Sequence, residues 1–136
     1  MMISEIMTRE VVIMSPETTC FEVASRMRDD DIGTVIIGDN VSMIGIVTDR
    51  DLVIRGLAAN KGSECPITEL MTEDLCYCYE DEDVETVVKN MAEIQKRRLP
   101  VVNREKCVVG IISLANIAES SDSNLSQLAK GTATKH

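Results

Sequence analysis

Aromatic side chains are nearly missing: 136 residues include no tryptophan, two tyrosines and one phenylalanine. Stacking a base or ring on aromatic faces is therefore not a main recognition device. Histidine occurs once, as the terminal His136, so no internal imidazole is present to act as a base or to complete a zinc set. Five cysteines (Cys20, Cys65, Cys76, Cys78 and Cys107) contain no CxxC pair, and their odd number opposes a fully paired disulfide framework. They read as buried thiols. Cys76 and Cys78 alternate and would share one strand face, with a redox pair as the alternative. A glycine-rich phosphate loop is also missing, so neither a metal centre nor an enzyme is expected. No apolar run approaches the roughly 20 residues of a membrane span. Residues 1–14 carry Glu5, Arg9 and Glu10, which does not fit a signal peptide. The expectation is a cytoplasmic protein with no membrane partner. Positive charge is scarce too: 14 Lys and Arg against 23 Asp and Glu leave a net charge of −9. A field of that sign repels nucleic acid and anionic lipid.

What is present is repetition, which is tested first because it governs the rest. Shifted by 64, Ile3-Ser4-Glu5-Ile6-Met7-Thr8 falls on Ile67-Thr68-Glu69-Leu70-Met71-Thr72. One further residue in the second copy then brings Gly45-Ile46-Val47-Thr48-Asp49-Arg50-Asp51-Leu52 onto Gly110-Ile111-Ile112-Ser113-Leu114-Ala115-Asn116-Ile117. The chain divides into a first repeat (1–62), a second repeat (63–118) and a polar tail (119–136) with one expected helical turn at Leu125 to Ala129.

Each copy parses alike. Strands are expected at Val11 to Met14 and at Leu75 to Tyr79. The helix after the first opens at Thr19-x-x-Glu22, the spacing of a capping box, with Cys20, Val23, Ala24 and Met27 on one face. Asp83 caps its counterpart, with Val84, Val87, Val88 and Met91 on the inner face. Two strands follow in each copy, Val35 to Ile37 with Met43 to Val47, and Leu99 to Val102 with Val108 to Ile112. Gly38-Asp39-Asn40 and Asn103-Arg104-Glu105-Lys106 are the turns. A last helix carries Leu52, Val53 and Leu57, and its partner starts near Ser113. The unit is β-α-β-β-α, and the fold class is mixed α/β (α+β). About 60 residues bury too little surface to be comfortable alone. Two pseudo-symmetric copies packed sheet to sheet would answer that, and would leave two related clefts.

At the strand-to-helix corner, Thr48 and Asp51 admit two readings. One is local: a capping box, with Asp51 favoured at the positive end of the helix. The other is a ribose site, because an ionised carboxylate only accepts and suits two vicinal hydroxyls. In the second copy Ser113 keeps the hydroxyl, but Asn116 replaces the acid with a neutral and weaker partner. A second asymmetry runs the other way. Just before the middle strand, the second copy has Lys96-Arg97-Arg98 while the first has Asp31-Ile32-Gly33-Thr34. The basic run is either a solvated face pairing with Glu93 or Glu105, or a clamp for phosphate oxygens.

Taken together, Ile6-Met7-Thr8 and Leu70-Met71-Thr72, Leu99-Pro100-Val101-Val102 and the two strand-to-helix corners resemble a tandem pair of CBS (cystathionine β-synthase) domains, a Bateman module. The likeness covers about 115 residues and looks closest to the small stand-alone prokaryotic type. The resemblance implies a non-enzymatic regulatory module with no obligatory cofactor. It would bind AMP, ADP, ATP or a related adenosyl ligand such as NAD or S-adenosylmethionine, form a homodimer, and act on a separate effector protein. It assigns the ribose to Thr48 and Asp51, and in weaker form to Ser113 and Asn116. It places Thr34, Arg97, Arg98, Leu99 and Pro100 along the clefts, with Arg97 and Arg98 towards phosphate and Arg50 as a further cation. The adenine would lie against Val, Ile and Leu side chains. Ligand would change the angle between copies or tighten a dimer. The alternative is an interaction or dimerisation module of the same fold that binds no ligand.

Overall fold

The doubled pattern of apolar runs folds as a doubled order of elements. The computed structural model describes residues 1–39, 42–73 and 76–120. The helical turn expected at Leu125 to Ala129, Asn40 of the first turn and Leu75 of the fourth strand lie outside the described residues. In chain order the elements are β1 (Ile13–Met14), α1 (Cys20–Asp30), β2 (Thr34–Gly38), β3 (Met43–Thr48), α2 (Asp49–Asp51), β4 (Cys78–Tyr79), α3 (Val84–Ile94), β5 (Arg98–Val102), β6 (Val108–Ser113) and α4 (Leu114–Ala118). Short 3-10 turns at Ile3–Glu5 and Ile67–Glu69 open each copy. No helix among the described residues is long and apolar enough to cross a membrane.

Capping chemistry decides where the long helices begin. The Thr19 hydroxyl accepts the Glu22 N–H at 3.2 Å, and the Glu22 carboxylate accepts the Thr19 N–H, as the spacing predicts. Asp83 accepts from the N–H groups of Glu85 and Thr86. Both helices stop at a residue in the left-handed region, Asp31 and Gln95, where the helical path breaks. Val23 and Met27 of α1 point inward, as do Val84, Val87, Val88 and Met91 of α3. Ala24, expected on the inner face of α1, is exposed.

Two three-stranded sheets result, ordered β1-β2-β3 and β4-β5-β6. In each, the short first strand runs parallel to the middle strand, and the last pairs antiparallel to it. The first strands are shorter than expected, two residues each. Val35, Ile36 and Ile37 are all buried, and so are Leu99 to Val102. Middle strands therefore read as unbroken apolar runs rather than alternating ones. At the second hairpin, Arg104 forks onto both carboxylate oxygens of Asp81, at 2.7 and 3.0 Å, and lies over the Tyr79 ring.

The described residues fall into two compact units, one within residues 12–75 and the other made of residues 1–11 with those from 76 to 120. Each unit thus holds the lead-in segment that the sequence places at the head of the other copy. In the 12–75 unit, Ile67, Leu70 and Met71 join a core with Val23, Met27, Val35, Ile37 and Val47. The Ile67 N–H donates to the Thr18 carbonyl, and Thr72 exchanges backbone hydrogen bonds with Ile46 at 2.8 and 3.0 Å. In the other unit, Ile3 and Met7 join Val84, Val88, Met91, Leu99, Ile112 and Ile117. Ile3 donates to the Glu82 carbonyl, and Thr8 and Ile111 exchange two bonds of 2.9 Å.

The segment after α2 departs from expectation. Residues Leu52–Leu57 wind as a π-helix, with the Ala58 N–H reaching back five residues to the Val53 carbonyl. The wider turn rotates the apolar positions away from helical register. Leu52 packs on the core while Val53 and Leu57 face out.

A glycine sits beneath each lead-in methionine. A Cβ on Gly45 would run into the Met71 sulfur, and one on Gly110 would lie 2.7 Å from the Met7 sulfur and 2.8 Å from the Thr8 carbonyl. The first obstacle is a flexible side chain; the second includes backbone held by the Thr8–Ile111 bridge. Gly110→Ala is expected to cost about 1–3 kcal/mol of stability, the usual range for overpacking, and Gly45→Ala less. Urea unfolding midpoints of the two variants check the order, and an equal or reversed loss contradicts it.

Candidate functional site

The first copy builds its corner from the end of β3 and the single turn of α2. Thr48 stands before the helix in extended backbone, and its hydroxyl accepts the Asp51 N–H at 3.2 Å. Asp51 Oδ2 accepts the Thr48 N–H at 2.8 Å. The local reading is therefore correct in its geometry, since these residues form a reciprocal cap. The cap leaves Asp51 Oδ1 outside that exchange, with Arg55 Nε 3.8 Å away. The carboxylate is fixed, largely sheltered and flanked by one cation. Thr34 opens β2 directly across from Thr48, which brings Thr34, Thr48 and Asp51 to one corner. Arg50 is exposed, one residue before Asp51, and its N–H donates to Asp49 Oδ1 at 2.9 Å.

The second copy repeats this backbone with different chemistry. Ser113 caps α4 by accepting the Asn116 N–H at 3.2 Å. Asn116 Oδ1 accepts both the Ser113 N–H at 3.0 Å and the Ser113 hydroxyl at 2.7 Å. Asn116 Nδ2 donates to Thr8 Oγ1 at 3.2 Å. Arg98 is the first residue of β5, one residue later than a purely pre-strand position, and lies across from Ser113 as Thr34 lies across from Thr48. The carbonyl of Arg97 accepts the first helical N–H, from Leu114 at 2.9 Å; Gly33 does the same for Asp49. Arg97, Arg98, Ser113 and Asn116 thus gather at one corner. Leu99 is a core side chain, 1 % exposed, and Pro100 is buried opposite Ile111. Both side chains belong to the buried interior, whereas Arg98 is half-buried.

Two participants carry weak sequence signals. Thr8 reaches Asn116 across 108 residues, and its only signature is the repeated Met-Thr pair. Arg55 donates to the carbonyls of Met71 at 3.2 Å and Leu70 at 3.5 Å while facing Asp51. One guanidinium therefore joins the corner acid to the lead-in segment of the same unit.

Comparison with known proteins agrees with this architecture. The CBS domain family profile matches residues 3–56 and again residues 67–123. Protein YlbB of Bacillus subtilis is 36 % identical, across 90 % of this chain and 83 % of its own length. The crystal structure of CBS domain protein TA0289 from Thermoplasma acidophilum superposes with a TM-score of 0.82 over 98 % of this chain and 76 % of that one, at 22 % identity, a likeness of fold. The CBS domain pair of protein MJ0100, solved in complex with 5'-methylthioadenosine and S-adenosyl-L-methionine, superposes with a TM-score of 0.77 at 26 % identity, over 96 % and 97 % of the two chains.

The cysteines are distributed through the packing. Cys78 is buried in its unit's core and Cys76 packs partly against the same cluster, although Cys76 lies ahead of β4 and the two do not share a strand. Burial, with a smaller contribution from Glu82, pushes the Cys78 thiol up to about 12. Among the described residues no group of three or more His, Cys, Asp or Glu is placed to hold a metal ion. Burial therefore disfavours the Cys78 thiolate, the reactive form, at pH 8. Iodoacetamide should leave Cys78 unlabelled in the native protein and modify it after denaturation, as read by peptide mass. Equal labelling rates in the two states would contradict the burial.

Proposed function

The chain belongs to the CBS domain family, and from that premise we propose that it is a non-catalytic regulatory module that senses an adenosyl ligand and passes the signal to a separate effector protein. The observation that carries the proposal is the Asp51 carboxylate. It is locked by its own cap, yet Oδ1 remains able to accept from a vicinal diol. A charged acceptor held in place needs no reorganisation when the sugar arrives, and charge-assisted bonds are about twice as strong as neutral ones. The likeness to a CBS pair solved with two adenosyl compounds supports the same ligand class. Thr34 and Thr48 border the sugar position in this reading, with Arg50 as an outer cation. In the other unit, Arg97 and Arg98 stand at the Ser113 corner, where cations of this kind suit phosphate oxygens in their own right; AMP, ADP, ATP and NAD all belong to the adenosyl class. With so few aromatic residues, the adenine rests on aliphatic side chains.

The protein also acts as a homodimer in this reading. Phe21, Val53, Ile54 and Leu57 are 51–77 % exposed, three of them on one six-residue π-helical segment. Exposed apolar side chains grouped in this way mark association surfaces. A second reading, a dimerisation module that takes no ligand, draws on Asn116, whose amide oxygen is already satisfied within the protein.

Calorimetric titration with AMP, ADP, ATP, NAD and S-adenosylmethionine separates the two readings: heat from any of them supports the sensor, and silence at millimolar ligand supports the ligand-free module. Asp51→Ala should weaken binding roughly 10- to 100-fold, the worth of one or two charged hydrogen bonds. Its stability should fall by only about 1 kcal/mol, the cost of a lost cap contact. Lost stability with unchanged affinity would leave Asp51 as a cap alone. Leu57→Asp should convert a dimer to a monomer in light scattering without changing the circular dichroism spectrum; an unchanged mass places the dimer surface elsewhere.

A further inference from the structure

We infer that the two corners differ in kind: only the Asp51 corner receives a nucleoside diol, Asn116 closes the second corner to it, and each chain takes one adenosyl ligand rather than two. The inference rests on the adenosyl reading above and adds its stoichiometry and the residue that sets it.

The argument is a count of acceptors. A backbone N–H only donates, so the Asn116 atom 3.0 Å from the Ser113 nitrogen must be the amide oxygen. That oxygen also accepts the Ser113 hydroxyl at 2.7 Å. An amide oxygen has two lone pairs, and both are now used. What remains of the side chain is its NH2 group, which can only donate, with one of its two N–H groups aimed at Thr8 Oγ1 at 3.2 Å. Two adjacent sugar hydroxyls seeking acceptors find none on Asn116. Asp51 differs at each step. A carboxylate has about four acceptor positions. Its Oδ2 takes the Thr48 N–H at 2.8 Å, and the Arg55 Nε beside Oδ1 stands at 3.8 Å, beyond hydrogen-bond range. The residue across the strand pair also changes, from Thr34 opposite Thr48 to the much longer Arg98 opposite Ser113. Asn116 therefore serves the fold, stapling the start of α4 to the Thr8 segment of its own unit, where Asp51 keeps an oxygen for a ligand.

The test is calorimetric titration of the full chain with 5'-methylthioadenosine, which has both ring hydroxyls of the ribose and no phosphate, beside 2'-deoxy-5'-methylthioadenosine, which lacks only the 2'-hydroxyl. The expected result is one equivalent of 5'-methylthioadenosine per chain, at least tenfold weaker binding of the deoxynucleoside, loss of the site in Asp51→Asn, and two equivalents in Asn116→Asp. Two equivalents in the unaltered protein would overturn the inference, as would an undiminished site in Asp51→Asn; both leave the adenosyl reading intact. A folded Asn116→Asp protein that still takes one equivalent would remove the role given to Asn116. Should that variant not fold, the unaltered protein and Asp51→Asn decide the matter by themselves. No heat from the unaltered protein with this nucleoside or with any of the five adenine compounds above would remove the adenosyl reading, and the inference with it.

Discussion

Each unit is closed by a short antiparallel bridge between its last strand and a lead-in segment, with a methionine laid over a glycine at the crossing. Thr8 with Ile111, and Thr72 with Ile46, supply the backbone bonds; Met7 over Gly110 and Met71 over Gly45 supply the close contact. A side chain on Gly110 would meet the Thr8 carbonyl and hold the segment off its strand, and one on Gly45 would displace the Met71 side chain. The methionine is well suited to the position, since its unbranched, polarisable chain fills an irregular gap where a branched residue would not. Seating that segment also carries Ile3 or Ile67 into the core, where each is fully buried. The short first strands contribute little pairing of their own, two residues each, so the outer edge of each last strand is the place where the unit is completed.

The corners show folding chemistry and binding chemistry drawing on the same atoms. A helix start needs its first N–H groups satisfied, and a hydroxyl residue with a polar residue three positions on does this reciprocally. That demand is met equally by Thr48 with Asp51 and by Ser113 with Asn116. The difference lies in what the cap leaves over. An acid leaves a charged oxygen that accepts; an amide leaves an NH2 that only donates, with one N–H here given to Thr8. The cap alone therefore says little about ligand competence. The identity of its third residue says a good deal, and Arg55 makes the acid's position matter further along the chain by tying it to the Leu70 and Met71 carbonyls.

Local signals in the sequence translated well. Thr19 with Glu22 and Asp83 with its followers located both long helices, because capping is settled within four residues. The apolar runs at 35–37 and 99–102 located the middle strands, because continuous burial leaves a continuous pattern. Residues 52–57 were not legible in detail. Leu52-Val53-Ile54 is apolar without a period, and a π turn cannot be told from an α turn by composition. Nor could repetition reveal which lead-in segment docks on which copy, since both carry Met-Thr and both last strands carry the waiting glycine. The Asn116 to Thr8 bond was hidden for the same reason. Its partners are a repeat length and more apart, and nothing local marks either one. Thr48 with Asp51 and Ser113 with Asn116 were legible as a pair of corners because a hydroxyl and a polar residue recur there at fixed spacing, and each stands at the end of a hairpin; Arg97 and Arg98 break the repeat and stood out only as a local run of positive charge.

The threading of the lead-in segments bears on how such a chain evolves. The backbone passes from one unit to the other at residues 11–12 and has returned by residue 76, while the sequence period turns over near residue 62. A recombination event at the period boundary would import a new glycine-bearing strand and leave behind the methionine that has to lie on it. Duplicated halves wired in this way do not behave as interchangeable cassettes. They drift as a matched set, and a substitution at the head of one copy is selected by the sheet of the other.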